Sequence, residues 1–426
     1  MKIPFRTLLF LLAAFSAGCA TTRPSPGSTA TAAVEPTPLL LVSIDGYRHD
    51  YMERGFSPTL AMLAHDGVQA ASMQPSFPSL TFPNHYTLVT GLRPDHHGIV
   101  NNTIADPQLG RFALGNRKAV SDGRWWAEGT PIWETADRHG LRTATMFWPG
   151  TEASIHGFRP DHWKPFDGKV TSQQRVDQVL AWLDLPARKR PSFLTLYFDA
   201  IDHAGHEYGP DTPQLDQALR DTDAAMAQLV QGLRKRGLLD RINIIVVSDH
   251  GMAAVAPGND IVIDRLMPTD QVQTVATGVL AGFNPKSANA ADQANFASIE
   301  HRLEQPQAHM QCWDKTRVPA RLQYGHNSRV PQLLCLADVG WHITTSEHLA
   351  QAGSKSNLGE HGYDNAAPSM QAIFVGHGPA FREGAKVGAF DNVDVYPLMA
   401  HLLNLPAAAN DGDYDAVKDM LKPSAR

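Results

Sequence analysis

Short apolar runs alternate with amphipathic segments along most of the chain. Residues 39–44, 143–148, 194–198, 244–247 and 370–375 read as buried strands, each gathering branched or aromatic side chains into a brief run. Between them, 59–65, 84–90, 171–183, 212–236 and 393–403 place apolar residues at helical spacing, and a further helix starts at Thr130-Pro131 and ends at Gly140. Val176, Val179, Leu180 and Leu183 share one side of their helix, as do Leu215, Leu219, Ala225 and Leu229 of the longer one. Strands alternating with helices predict an α/β fold, a central and mostly parallel sheet flanked by helices. The alternation weakens after Gly251. A helix over 288–303 and short strands over 320–324 and 332–336 predict a small α+β insertion at 264–345, dividing the core into 39–263 and 346–426.

Several of the strands end in acids and histidines. Asp45 follows the first, Asp202 and His206 follow 194–198, Asp249 and His250 follow 244–247, and His361 precedes 370–375. Open α/β sheets bind ligands beyond the carboxyl ends of their strands, so these residues stand where a ligand is expected. Taken singly, each reads as easily as a turn cap, a surface histidine or a hydrogen-bonded core histidine. Their joint recurrence points to a shared metal centre. Carboxylate oxygens with imidazole nitrogens and no cysteine suit zinc, and three aspartates plus three histidines exceed the needs of one open tetrahedral ion. Two Zn2+ ions are therefore expected. Thr81 stands just ahead of the 84–90 helix, where free backbone N–H groups favour a phosphate oxygen. His96, His97 and His326 have no such context and read as surface or hydrogen-bonding residues.

Composition narrows the partners. With 37 basic and 43 acidic residues the net charge is -6, which gives no support to a nucleic-acid surface. Lys2 and Arg6 precede the mostly apolar 7–17, so 1–18 reads as a secretory signal peptide, and the run is too short for a membrane span. Ser16-Ala17-Gly18-Cys19 resembles a bacterial lipobox, although Ser16 replaces the usual branched residue. Lipidation of Cys19 and simple cleavage near it both stay open; a periplasmic or exported protein follows either way, tethered to the bacterial cell envelope if Cys19 is lipidated. The Thr-, Pro-, Ser- and Ala-rich 19–38 reads as a flexible tether. Cys312 and Cys335 form a disulfide in an exported protein, or else remain two buried thiols. No partner helix is evident, and a monomer is the simplest expectation.

The ordered segments resemble the nucleotide pyrophosphatase/phosphodiesterase family of the alkaline phosphatase superfamily. TFPNHYTLVTGLRPDHHGI from Thr81, DHAGHEYGP from Asp202, SDHGM from Ser248 and the later His361 carry the likeness, and VPARLQYGHNSRV from Val318 adds to it. The resemblance implies one zinc held by Asp202, His206 and His361 and another by Asp45, Asp249 and His250. Thr81 matches the nucleophile, beside the second ion. In-line attack by its oxygen would form a phosphothreonine that water then hydrolyses, with net retention at phosphorus. Asn102 matches a donor to a nonbridging phosphate oxygen, and Phe82 with Tyr197 an aromatic slot for a base. Asp199 departs from the family, standing where many relatives have glutamate.

The implied activity is hydrolysis of nucleotide phosphodiester or pyrophosphate bonds, releasing a nucleoside 5′-monophosphate. The alternatives are a phosphomonoesterase or lysophospholipid phosphodiesterase of the same superfamily, or an envelope binding protein without turnover. No arginine next to Thr81 is evident to hold the extra charge of a monoester, and the full set of Thr81 and six ligands argues against loss of turnover.

Overall fold

A computed structural model describes residues 36–352 and 357–426, so the expectations for 1–18, for Cys19 and for most of the tether lie outside the described residues. β1 (Leu39–Ile44), β2 (Val68–Ala70), β3 (Thr143–Met146), β4 (His162–Lys164), β5 (Phe193–Phe198) and β6 (Asn243–Val247) come first. β7 (Val272–Ala276), β8 (Leu280–Pro285), β9 (Met310–Asp314) and β10 (Leu333–Ala337) lie within 264–345, and β11 (Phe374–His377) and β12 (Ala385–Val387) follow. An eight-stranded sheet runs β12-β2-β11-β6-β1-β5-β3-β4. Its half from β6 to β4 is parallel, whereas β11 lies antiparallel to both β6 and β2.

Burial on both faces explains why the central strands read as unbroken apolar runs. Leu39 and Leu41 of β1 enter one hydrophobic cluster and Leu40, Val42 and Ile44 the other; β6 divides the same way, with Ile245 and Val247 opposite Ile244 and Val246. Each such side chain contributes about 1.5 to 3 kcal/mol by leaving water. The helices Ser172–Leu183 and Pro213–Lys235 cover one face with the apolar residues expected of them. Thr171 starts the former with a reciprocal capping box to Gln174.

Three expectations need correction. Residues 320–324 are a 3-10 turn at Ala320–Leu322, ended by Gln323 in a left-handed conformation, and not a strand. The strand expected at 143–148 stops at Met146, because Phe147 turns with a φ of +61°. The one expected at 370–375 begins only at Phe374, after a 3-10 turn at Pro368–Met370. His97, expected at the surface or in hydrogen bonds, proves to be the latter: it is fully buried with Nε2 3.1 Å from both Thr87 Oγ1 and the Pro83 carbonyl, and burial drives its imidazole pKa down to about 3.

β7, β8, β10 and β9 form a separate antiparallel sheet in that order, with the helix Ala290–Leu303 packed on it. Cys312 and Cys335 face each other across β9 and β10 and are joined as a disulfide. The side of this segment toward the core is held by Asp95, whose carboxylate accepts the N–H groups of Gly325, His326 and Asn327 at 2.9 to 3.0 Å. Glu300, on the same helix, is buried against Asp314. Burial, then the hydrogen bond and charge of Asp314, push its carboxyl up to about 7 from an ordinary 4.5. The folded protein thus holds a proton that the unfolded chain has already released, and stability falls as pH rises from 4.5 through 7. Glu300→Gln is expected to raise Tm at pH 8 and leave it near wild type at pH 4.5. Equal Tm differences by calorimetry at both pH values would contradict this linkage.

Candidate metal centre and active site

Asp45, Asp249 and His250 leave the carboxyl ends of adjacent parallel strands β1 and β6, so sheet register alone brings them together. Gly46 lets the chain turn sharply after Asp45. Its φ is +69°, and a Cβ there would stand 3.0 Å from the Cα of Asp202, so glycine also admits the next element. That element is the helix Ala200–Tyr208 after β5, which places Asp202 and His206 one turn apart on one side. His361 follows a short strand, Gly359–Glu360.

The imidazoles are oriented by the backbone. Nδ1 of His206 lies 2.8 Å from the Gly359 carbonyl, that of His250 2.9 Å from Gly251, and that of His361 2.9 Å from Ser79. A carbonyl oxygen only accepts, so each Nδ1 carries the proton and each Nε2 presents a bare lone pair. The Nε2 atoms face carboxylates. Those of His206 and His361 lie 3.5 and 3.6 Å from Asp202 Oδ1; that of His250 lies 3.4 Å from Asp45 Oδ1 and 3.0 Å from Asp249 Oδ2. These same three carboxylate oxygens are buried with no hydrogen-bond partner. Buried acceptors facing bare lone pairs are repulsive unless cations lie between them. The donor set therefore fits metal ions, and its N/O chemistry fits zinc.

Electrostatics agree. Burial, followed by Asp249 and Asp202, raises the Asp45 carboxyl well above the usual carboxylate range. Asp249 is held well below that range: burial opposes its ionisation, but His250 and His85 outweigh it. The remaining oxygens of these ligands are anchored. Tyr197 donates its hydroxyl to Asp45 Oδ2 at 2.6 Å, and the Gly46 N–H reaches Asp249 Oδ1 at 3.3 Å.

Three potential ligand groups emerge, Asp202/His206/His361, Asp45/Asp202/His250 and Asp45/His85/Asp249. The strand-end pattern of the sequence does not single out His85. Its proximity to Thr81, four residues along the same helix, was the available signal. The fully buried ring donates Nδ1–H to the Thr81 carbonyl at 2.9 Å, so Nε2 accepts from Ser43 Oγ at 2.8 Å. Both nitrogens are used, which leaves His85 as a support for Asp249, 3.3 Å away, and not a ligand.

Thr81 is the first residue of the helix Thr81–Thr90, which begins earlier than 84–90 because Pro83 needs no N–H partner in a first turn. Its Oγ1 lies 3.3 Å from His250 Nε2. The helix start offers fewer free donors than expected. Phe82 N–H is taken by Asn102 Oδ1 at 3.0 Å, and that bond leaves the Nδ2 of Asn102 as the available donor. Phe82 and Tyr197 both line a cavity of about 210 Å³ that also touches Thr81, Asp45 and Asp202.

The type I phosphodiesterase/nucleotide pyrophosphatase family model matches residues 39–364. A fission-yeast (Schizosaccharomyces pombe) protein named as an uncharacterised pyrophosphatase/phosphodiesterase is 37% identical, over 88% of this chain and 79% of its own. Human ectonucleotide pyrophosphatase/phosphodiesterase family member 1 is 35% identical over 92% of this chain, which spans only 42% of that longer relative. A solved structure of murine ectonucleotide pyrophosphatase/phosphodiesterase 5, an inactive threonine-to-alanine form in complex with AMP, superposes with a TM-score of 0.84. It is 34% identical, and the match covers 91% of this chain and 100% of that one. The present chain has the catalytic fold of a phosphodiesterase/pyrophosphatase and two Asp/His clusters suited to a two-metal site. By sequence match, overall fold and the convergence of those clusters on one threonine, it belongs to the type I phosphodiesterase/nucleotide pyrophosphatase family of the alkaline phosphatase superfamily.

Proposed function

We propose that the protein hydrolyses nucleotide phosphodiester or pyrophosphate bonds and releases a nucleoside 5′-monophosphate. The observation that carries this is a threonine hydroxyl beside the bare Nε2 of His250, at the mouth of a cavity lined by Phe82 and Tyr197. Asp202, His206 and His361 would hold one zinc, and Asp45, Asp249 and His250 the other. When bound, the pair supplies the positive charge that favours an alkoxide and a crowded phosphate. Thr81 Oγ forms the bond to phosphorus as the bond to the leaving oxygen breaks, giving a phosphothreonine. Water then attacks in line and returns Thr81 Oγ with a proton. Asn102 Nδ2 donates to a nonbridging oxygen, while the base enters the slot formed by Phe82 and Tyr197. The AMP complex of the murine relative supports a nucleotide ligand.

The antiparallel sheet within 264–345 supports reading that segment as an insertion in a core of 39–263 and 346–426. The ectonucleotide relatives and the Cys312–Cys335 disulfide support an extracellular or surface-exposed location. Among the described residues no helix is long and apolar enough to cross a membrane. The finer reading, a bacterial periplasmic protein with a lipidated Cys19, rests on residues 1–19 alone.

Comparing kcat/KM on zinc-loaded protein for a nucleoside 5′-phosphodiester, an aryl phosphate monoester and a lysophospholipid tests the assignment. The nucleotide diester is expected to lead by at least about tenfold, the worth of one stacked base. A preference for the monoester or the lysophospholipid would overturn it.

A further inference from the structure

Phe147 lines the cavity with its backbone in the left-handed region, at a φ of +61°. A bulky aromatic residue rarely adopts that conformation, and it persists only where the surroundings over-determine it. Here they include a buried cation. Arg175, on the helix Ser172–Leu183, is only 2% exposed, and its guanidinium carbon lies 5.0 Å from the centre of the Phe147 ring and 5.9 Å from that of Phe166. The two rings meet edge to face at 5.4 Å, and Phe166 packs in turn on Tyr197 at 6.2 Å. All three aromatics line the cavity, whereas Arg175 stands behind them.

A buried arginine is tolerated when its charge is paired and its N–H groups are used. Arg175 donates to the carbonyls of Tyr197 at 2.9 Å and Val170 at 3.0 Å, and pairs at 2.9 Å with Asp199. The residue that departs from the family pattern is thus the counter-ion of this arginine. One planar group fixes the backbone of Tyr197 and backs the rings of Phe147 and Phe166. Lysine, a point charge without a fork or a flat face, cannot do both.

We propose that Arg175 is a positioning residue for the aromatic wall of the cavity, and that through this wall it sets the preference for nucleoside esters over simple aryl esters. The proposal rests on reading the cavity as a base slot. The test measures the ratio of kcat/KM for the 4-nitrophenyl ester of thymidine 5′-monophosphate to that for bis(4-nitrophenyl) phosphate. Wild type, Arg175→Lys, Phe166→Ala and the double variant are compared. Arg175→Lys is expected to lower the ratio about tenfold, chiefly through KM of the nucleoside ester, and to lose most of that effect when Phe166 is already alanine. A loss of stability alone would not move a ratio between two substrates of one enzyme. If Arg175→Lys does not fold, Asp199→Ala reads the same ratio from the more exposed partner and is expected to lower it too. A high wild-type ratio that survives in the folded variant, or falls equally in both backgrounds, overturns the proposal alone. A wild-type ratio near one overturns the base slot and the proposal with it.

Discussion

Thr81→Ala is expected to lower kcat by at least about a thousandfold, a rise of about 4 kcal/mol in the barrier, while two zinc ions remain bound per chain. The hydroxyl begins a helix and lies 3.3 Å from His250 Nε2, and alanine at that position supplies no oxygen to form the covalent intermediate. None of the Nε2 atoms or carboxylate oxygens proposed as ligands depends on it for orientation, because those are set by the carbonyls of Gly359, Gly251 and Ser79 and by Tyr197. Zinc content and the affinity for a nucleoside monophosphate should therefore survive. Elemental analysis together with single-turnover kinetics makes the check. A zinc-loaded variant turning over near the wild-type rate would remove the phosphothreonine route.

Chelation is expected to abolish turnover and also to lower Tm. Asp45 Oδ1, Asp202 Oδ1 and Asp249 Oδ2 are buried without hydrogen-bond partners, so the metal-free fold leaves three buried acceptors unsatisfied. Ions that bind the native state alone restore stability by mass action, about 2.7 kcal/mol for each site at a hundred times its Kd. Thermal scans of the chelated protein during back-titration with zinc should show Tm rising together with activity. An unchanged Tm after verified zinc removal would mean that the carboxylates are satisfied in another way.

The core strands and the chemistry at their ends were legible because a strand buried on both faces must be apolar throughout, and a parallel sheet collects its polar residues at one edge. That pattern gathers Asp45, Asp202, His206, Asp249, His250 and His361 at one edge without knowledge of strand order, and their division into two triads follows only from the family resemblance. His85 is not legible in the same pattern. A histidine within an apolar helix looks the same whether it ligates, supports a ligand or fills space, and only the Thr81 carbonyl and Ser43 Oγ on its two nitrogens separate these roles. The 3-10 turn at Ala320–Leu322 is not legible in the sequence for a related reason: five residues of mixed polarity carry too little periodicity to oppose a local tertiary constraint.

By itself, the sequence determined the α/β class, the identity of the aspartates, histidines and threonine that meet, and the family, since periodicity and ordered motifs are properties of the chain. Tertiary structure alone decided which ring nitrogens are bare, that the Asn102 oxygen is occupied and its nitrogen free, and that Asp199 faces Arg175 behind the cavity. Those outcomes depend on which backbone carbonyls and rings from distant segments come within a hydrogen bond of one another. No local pattern encodes such distances until the sheet has closed.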